Sequence, residues 1–253
     1  NLTEMVDIHP RLLEEHGLPP LVSMFASQDL NCKGEASRAL ANLSANEDTQ
    51  ISLLKDEILD AVVDALEKSE VNCQRFAALC LANLATTVKS QIKVVEAGAI
   101  RPLISLVLQK ENHLEARRYA ALALANLSAT VANHAVILGE GGLEAMFSLS
   151  NTPDVMSQYY VGCTLANLSS NLENHTVMVE KGSIQPLVTL AYSSDPDVNL
   201  QAAAGLRGLS ASLDIKMKIV QEGGLEPLSR LMLSGEVELL REVTACICNL
   251  SLG

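Results

Sequence analysis

Aromatic residues are scarce in this sequence: tryptophan is absent, and phenylalanine and tyrosine together make up 3% of the 253 residues. Hydrophobic residues still account for 48% of the chain, which is ample for a folded core and argues against disorder. A core built from alanine, leucine, valine and isoleucine favours closely packed helices over a β-sandwich. The composition therefore predicts an all-α protein.

An excess of positive charge is also missing, since the formal net charge is −12. A protein without surplus cations has little to offer a nucleic acid or an anionic membrane surface. We therefore predict no nucleic-acid partner. An acidic surface keeps a protein soluble and permits a partner with basic segments.

The six cysteines form no C-x-x-C pair. We interpret them as buried or half-buried thiols in a reducing compartment, which predicts a cytoplasmic location. No signal peptide or transmembrane run is visible, so we expect no direct membrane insertion. The chain starts at Asn1 rather than methionine, so a lipidated N-terminus upstream, with peripheral attachment to an organelle membrane, stays open.

One six-residue phrase recurs along the chain. It reads ALANLS at 39–44 and returns at 80–85, 123–128, 164–169, 205–210 and 246–251. Its fourth position advances by 41 or 43 residues at each step, and such a period is typical of stacked helical units. We predict a single solenoid domain, residues 1–253, with units at about 1–45, 46–86, 87–129, 130–170, 171–211 and 212–253.

Each unit contains three predicted helices, and the third is the longest. The first ends at a glycine, which would supply the left-handed conformation that stops a helix: Gly17, Gly98, Gly142, Gly182 or Gly224. The second has proline in its first turn in four units: Pro20, Pro102, Pro186 and Pro227. The third follows a polar break with an aspartate or serine N-cap and ends in the phrase. The second unit departs from the pattern, with neither glycine nor proline in 56–67.

A 41-residue unit with glycine before its second helix and A-L-x-N-L-S closing its third resembles the armadillo repeat. The stretches VEAGAIRPL at 95–103, VEKGSIQPL at 179–187 and EGGLEPL at 222–228 are close to the family pattern. The resemblance covers essentially the whole chain and implies a right-handed α-solenoid of about six three-helix repeats. Within the family, the chain looks most like the vacuolar, flagellar and rhoptry armadillo-only adaptors.

The resemblance implies that the third helices line a concave groove. The phrase position and the residues four, seven and eleven before it share one helix face, which we call the groove stripe. Its phrase position holds Asn42, Asn83, Asn126, Asn167, Gly208 and Asn249. An asparagine carboxamide can bond the N–H and C=O of an extended peptide. The alternative is that each asparagine satisfies a neighbouring helix end.

Aromatic and basic residues occupy other positions of the stripe and its edge. Seven residues before the phrase position lie Phe76, Tyr119 and Tyr160, which either form pockets for a ligand or pack between repeats. Arg38, on the stripe, and Arg75 and Arg118, at its edge, either bind acidic groups of a ligand or remain solvated. Import receptors of this family carry tryptophan four residues before the asparagine. This chain has none, so it is not a typical import receptor.

No catalytic set is signalled. His9, His134 and His175 share one repeat position, and we interpret them as turn or cap residues because one-repeat spacing is too wide for a shared metal. We predict no enzyme activity and no cofactor. The leading hypothesis is an adaptor that binds an extended or helical partner segment along the stripe. The alternative is a part of a cytoskeletal or axonemal assembly, self-associating through uncapped ends such as that at Gly253, and an import receptor ranks third.

Overall fold

The computed structural model describes residues 8–24, 27, 29–68, 70–110 and 113–252. These residues form an all-α solenoid of six helix triplets, as predicted. The first three triplets are α1 His9–Glu14, α2 Leu18–Ser23, α3 Leu30–Ser44; α4 Glu47–Leu53, α5 Asp56–Lys68, α6 Val71–Leu84; and α7 Val88–Glu96, α8 Ile100–Leu108, α9 Leu114–Leu127. The last three are α10 His134–Gly139, α11 Gly142–Ser150, α12 Val155–Ser169; α13 His175–Glu180, α14 Ile184–Ala191, α15 Pro196–Ser210; and α16 Leu213–Gln221, α17 Leu225–Leu231, α18 Val237–Ser251.

The helices group into two compact units, Asn1–Asn133 and His134–Gly253. Within the first unit α3 packs against α6 and α6 against α9, and within the second α12 packs against α15 and α15 against α18. That the whole chain is one continuous array stays a prediction. The expected uncapped ends, Asn1 and Gly253, lie outside the described residues.

The phrase leucines build the core. The leucines two residues before and one residue after the phrase position are at most 1% exposed in the first five repeats: Leu40, Leu43, Leu81, Leu84, Leu124, Leu127, Leu165, Leu168, Leu206 and Leu209. This spacing of three residues places both side chains on one face of a helix. The phrase therefore has a buried leucine pair beside an asparagine that is only half-buried.

The predicted helix starts are confirmed where aspartate precedes a third helix. The Asp29 carboxylate accepts hydrogen bonds from the backbone N–H groups of Asn31 and Cys32, and Asp154 and Asp195 cap α12 and α15 in the same way. The four predicted prolines lie in the first turn of α2, α8, α14 and α17. Since proline has no N–H, this turn is where a helix tolerates it.

The glycine prediction is right at two of five positions. Gly98 and Gly182 have φ of 84° and 86°, whereas in two other repeats the positive φ belongs to the residue before the predicted one, Gly141 or Gly223. In the first repeat it belongs to His16, with φ of 55°. The following residues Gly17, Gly142 and Gly224 are needed for a different reason: a Cβ would lie 2.6–2.7 Å from a leucine or isoleucine side chain of the preceding helix.

Buried polar bridges tie the starts of two first helices, α7 and α13, to their neighbours. Gln91, eight residues after the phrase position, donates from Nε2 to the Ala85 carbonyl at 3.2 Å and accepts from the Thr130 hydroxyl. His175 occupies the same repeat position, with Nε2 2.7 Å from the Ser169 carbonyl and Nδ1 2.6 Å from the Ser212 hydroxyl. Because a carbonyl only accepts, Nε2 carries the proton and Nδ1 accepts.

The histidine prediction is confirmed in its location, since His9, His134 and His175 are each the first residue of a first helix and 2% exposed. His134 Nδ1 accepts from the Asn174 side chain at 2.8 Å.

All six cysteines are free thiols, and burial raises the pKa of Cys80 to about 12. Within the described ranges, no single helix has both the length and the hydropathy to cross a membrane, although Leu114–Leu127 and Val131–Gly139 pass as a bent pair.

Candidate functional site: the groove stripe

The asparagines of the phrase lie near the C-terminal ends of the third helices. Asn42, Asn83 and Asn126 lie on α3, α6 and α9 of the first unit, and Asn167 and Asn249 lie on α12 and α18 of the second. All five side chains are half-buried. They are therefore accessible in part to a ligand.

Three of these asparagines donate to the phrase of the preceding repeat. Asn83 Nδ2 lies 3.3 Å from the Ala41 carbonyl and 3.1 Å from Ser44 Oγ. Asn126 Nδ2 lies 2.9 Å from the Ala82 carbonyl. Asn249 Nδ2 lies 3.1 Å from Ser210 Oγ. The helix-end interpretation thus accounts for these N–H groups.

The carboxamide oxygens of Asn83 and Asn126 remain available for a ligand. Because a carbonyl oxygen can only accept, the atom that faces it at Asn83 and Asn126 must be Nδ2, and Oδ1 points elsewhere. Within the described ranges, Oδ1 of neither residue has a hydrogen-bond donor. The first unit therefore presents a free acceptor on α6 and another on α9.

Gly208 replaces asparagine in the fifth repeat because α12 and α15 approach closely. A Cβ on Gly208 would lie 2.7 Å from the Ser169 carbonyl oxygen and 2.9 Å from Ser169 Cβ. A Cβ on Gly162, in α12, would lie 2.7 Å from Gln201 Cβ in α15. Two glycines thus permit this close packing, and the fifth repeat therefore lacks the asparagine of the phrase.

The aromatic and basic residues of the first unit form one connected group. The Arg75 guanidinium lies 4.4 Å from the centre of the Phe76 ring and donates from Nη1 to Glu115 Oε2 at 2.6 Å. Tyr119 donates its hydroxyl hydrogen to Glu115 Oε1 at 3.0 Å. The group links α6 to α9. It was not predicted from the sequence because Arg75 and Glu115 belong to different repeats.

Electrostatics within this group favour an ionised Glu115. Burial alone would raise the pKa of Glu115, but hydrogen bonds from Tyr119 and Arg75 and the charges of Arg75 and Arg118 lower it. Burial and the bond to Glu115 raise the pKa of Tyr119. At neutral pH the group therefore contains the ionised carboxylate of Glu115 and the neutral phenol of Tyr119.

A cavity of about 190 Å³ lies between α3 and α6. It is lined by Leu30, Asn31, Gly34, Glu35, Arg38, Glu70, Asn72, Arg75 and Phe76. Arg38 Nη2 contacts Glu35 Oε2 at 2.5 Å. The Nε atoms of Arg38 and Arg75 are buried, and neither has an acceptor among the described residues. The structure thus places Arg38, Arg75 and Phe76 at one cavity.

In the second unit, Tyr160 has a different environment. Its ring packs edge-to-face against Tyr159, with ring centres 5.7 Å apart and planes at 63°. A hydrogen bond with Cys163 raises the pKa of Tyr159 to about 12. Arg207 Nε on α15 lies 3.0 Å from Glu242 on α18.

Comparisons with known proteins agree with this architecture. The family model of the armadillo/β-catenin-like repeat matches residues 10–45, 88–129 and 214–252. An engineered protein is similar, at a TM-score of 0.84 and 26% identity over 93% of this chain and 99% of that chain. A second engineered protein reaches a TM-score of 0.89 at 27% identity, over 98% of this chain and 61% of that one.

A designed armadillo repeat protein solved in complex with the peptide (KR)4 has a TM-score of 0.83 at 22% identity, over 92% of this chain and 99% of that chain. No curated protein matches the chain significantly in sequence. The matched repeats and the helix triplets define the class as an armadillo-repeat solenoid. The chain therefore contains armadillo repeats and shares the solenoid fold of the designed armadillo proteins.

Proposed function

We propose that the protein is a non-catalytic scaffold that binds an extended segment of a partner protein along the groove stripe of residues 1–133. The observation that carries the proposal is the cavity between α3 and α6, which lies on the same helices as Asn42 and Asn83. Arg38, Arg75 and Phe76 line it. One end of the stripe thus offers side-chain recognition and the other offers backbone recognition.

The carboxamide oxygens favour an extended partner. The Oδ1 atoms of Asn83 and Asn126 lie on consecutive third helices, and packed helix axes are about 8–10 Å apart. Three residues of an extended chain in the polyproline II conformation complete one turn and rise about 9 Å, so every third backbone N–H would meet an asparagine. A helical segment satisfies its own backbone and would have no N–H to donate.

The arginines favour an acidic side chain in that segment. Each guanidinium has five N–H donors, and Arg38 and Arg75 use one nitrogen each on Glu35 and Glu115. The remaining Nη donors, at the cavity that both arginines line, could take a carboxylate bidentately. The Phe76 ring beneath Arg75 would hold the guanidinium plane in place.

The known complex supports the proposal only at the level of the fold. A designed armadillo repeat protein holds the peptide (KR)4, so this architecture can carry a peptide. That peptide is basic, whereas the cavity of this chain is walled by two arginines and also by Glu35 and Glu70. The preference for an acidic residue therefore rests on Arg38 and Arg75 alone.

Selection from a randomised library of linear peptides tests the proposal. We expect the selected peptides to carry aspartate or glutamate, and Arg38→Ala or Arg75→Ala to weaken their binding about tenfold or more, as loss of a charged hydrogen bond would. Arg101→Ala, which removes an exposed arginine of α8 away from the stripe, is the control of equal charge. Peptides that bind both cavity variants as tightly as wild type would reject the stripe as the site.

Three further interpretations of function come from the sequence. A membership in the armadillo-only adaptor group and a cytoplasmic location remain predictions from sequence. An assembly role through the chain ends depends on residues outside the described ranges. An import-receptor role remains the least favoured, because the positions four residues before the asparagines are Arg38, Leu79, Leu122, Cys163, Ala204 and Ala245.

A further inference from the structure

Large aliphatic side chains are exposed at one repeat position outside the groove stripe. Five residues after the phrase position, at the start of the first helix or three residues before it, lie Val88, Val131, Leu172 and Leu213, which are 63%, 56%, 64% and 70% exposed. The first two belong to the unit of residues 1–133 and the last two to the unit of residues 134–253. A single exposed leucine needs no explanation, but recurrence at one position in four consecutive repeats does.

The polar bridges of the first helices fix where these side chains lie. In the second unit His175 is hydrogen-bonded to Ser212. His175 lies three residues after Leu172, and Ser212 directly precedes Leu213. In the first unit Thr130 is hydrogen-bonded to Gln91. Gln91 lies three residues after Val88, and Thr130 directly precedes Val131. Both bridges are buried on at least one side, so the two aliphatic residues of each unit are held in register.

The surface of the second unit is the larger of the two. On its first helices Val177 and Met217 are a further 38% and 64% exposed, close in sequence to Leu172 and Leu213. Each leucine is followed by an exposed carboxylate, Glu173 or Asp214. Among the described residues neither acid has an ion-pair partner, because the neighbouring Lys216 and Lys218 bond to the backbone carbonyls of Leu252 and Val179 instead. We call the two leucines, Val177, Met217 and the two acids the first-helix patch.

The spacing and chemistry of the patch decide what fits it. Packed helices lie about 8–10 Å apart, and seven residues of an α-helix rise about 10 Å. A partner helix with apolar side chains seven residues apart would therefore meet both Leu172 and Leu213. A helix also needs no backbone partner, and the patch offers aliphatic groups rather than the free carboxamides of the stripe.

We propose that the first-helix patch of residues 134–253 is a docking surface for a basic amphipathic helix of a partner protein. Apolar side chains of that helix, seven residues apart, pack on Leu172 and Leu213, with Val177 and Met217 beside them. Lysine or arginine residues on its flank pair with Glu173 and Asp214. Asp214 also lies in the first turn of α16, where it complements the helix dipole.

A display library of helix-stabilised peptides, with the outward positions randomised, is the probe. We expect selection on the wild-type chain to yield cationic peptides with apolar residues seven apart. The double variant Leu172→Ser, Leu213→Ser should weaken their binding on the order of tenfold for each lost anchor. Replacement of the acids in Glu173→Gln, Asp214→Gln should weaken binding and flatten its salt dependence.

The control variant Leu233→Ser, Val237→Ser removes two aliphatic residues of the same unit, 88% and 61% exposed, that lie off the patch. All four substitutions are at the surface, so thermal unfolding of both variants should stay close to wild type. Peptides without a seven-residue period, or equal binding to both double variants, would overturn the proposal. The proposal would also be overturned if the wild-type chain dimerised, or bound anionic phospholipid vesicles, and the patch variant abolished that binding. Either result would assign the patch to another occupant.

Discussion

Restoring the phrase in the fifth repeat should destabilise the protein. Five of the six phrase positions are asparagine, so the variant Gly208→Asn is the change that a consensus argument would choose. The structure predicts the opposite result. A Cβ at this position would meet the Ser169 carbonyl oxygen at 2.7 Å, and backbone cannot rotate away as a flexible side chain could.

The magnitude follows from two opposing terms. Asparagine is better than glycine in a helix interior by about 0.3 kcal/mol. Overpacking costs about 1–3 kcal/mol, because α12 and α15 must separate. The same separation would carry the new amide away from its acceptor, so no hydrogen bond offsets the cost. We expect a net loss of about 1–2.5 kcal/mol, and a smaller loss for Gly208→Ala, since alanine gains about 1 kcal/mol of helix propensity.

Urea denaturation followed by circular dichroism measures the loss, and hydrogen exchange should locate it in α12 and α15. Gly34→Ala is the matched control, because Gly34 lies inside α3 with no heavy atom within 4 Å of the added Cβ. That variant should gain about 0.5–1 kcal/mol from helix propensity. A Gly208→Asn protein as stable as wild type, beside a stabilised Gly34→Ala, would refute the packing argument.

Three further outcomes follow from the structure. His16→Gly should raise the free energy of unfolding by about 0.5–1 kcal/mol in denaturant titration, because a non-glycine residue with φ of 55° is strained. His175→Ala should lower it by about 2–3 kcal/mol by leaving a buried carbonyl without a donor, whereas His175→Gln should be tolerated, since Gln91 makes the equivalent bonds. The pKa of Glu115 is lowered in the folded state from its ordinary value of 4.5. The stability that Glu115 contributes is therefore present above pH 4.5 and is lost as the pH falls through the folded pKa. Acid titration of Glu115→Gln should show a shallower loss of stability than wild type.

The local rules of helix formation were readable from the sequence. Three aspartates cap third helices as predicted, because an N-cap depends on residues within one turn. The prolines mark second helices for the same reason. The glycine prediction failed at Gly142 and Gly224 because two adjacent glycines have different roles, one in backbone conformation and one in packing, which a sequence pattern does not separate.

Contacts between repeats were harder to predict. Asn126 and Ala82 are 44 residues apart, and their bond depends on how the third helices pack. The Arg75–Glu115 pair and the Gln91–Thr130 bridge likewise join residues about one repeat apart. Aligning each repeat with the next one and comparing the residues at neighbouring positions could have suggested these pairs. The exposure of Leu172 and Leu213 could not have been read from hydrophobicity, which predicts burial.

A crystal structure of the chain bound to a selected linear peptide tests the central claim most directly. The account predicts an extended peptide whose backbone N–H groups lie about 2.9 Å from Oδ1 of Asn83 and Asn126. An acidic side chain of that peptide should lie between Arg38 and Arg75 over the Phe76 ring. A peptide bound away from α3, α6 and α9, or one that leaves both asparagine oxygens to water, would contradict it.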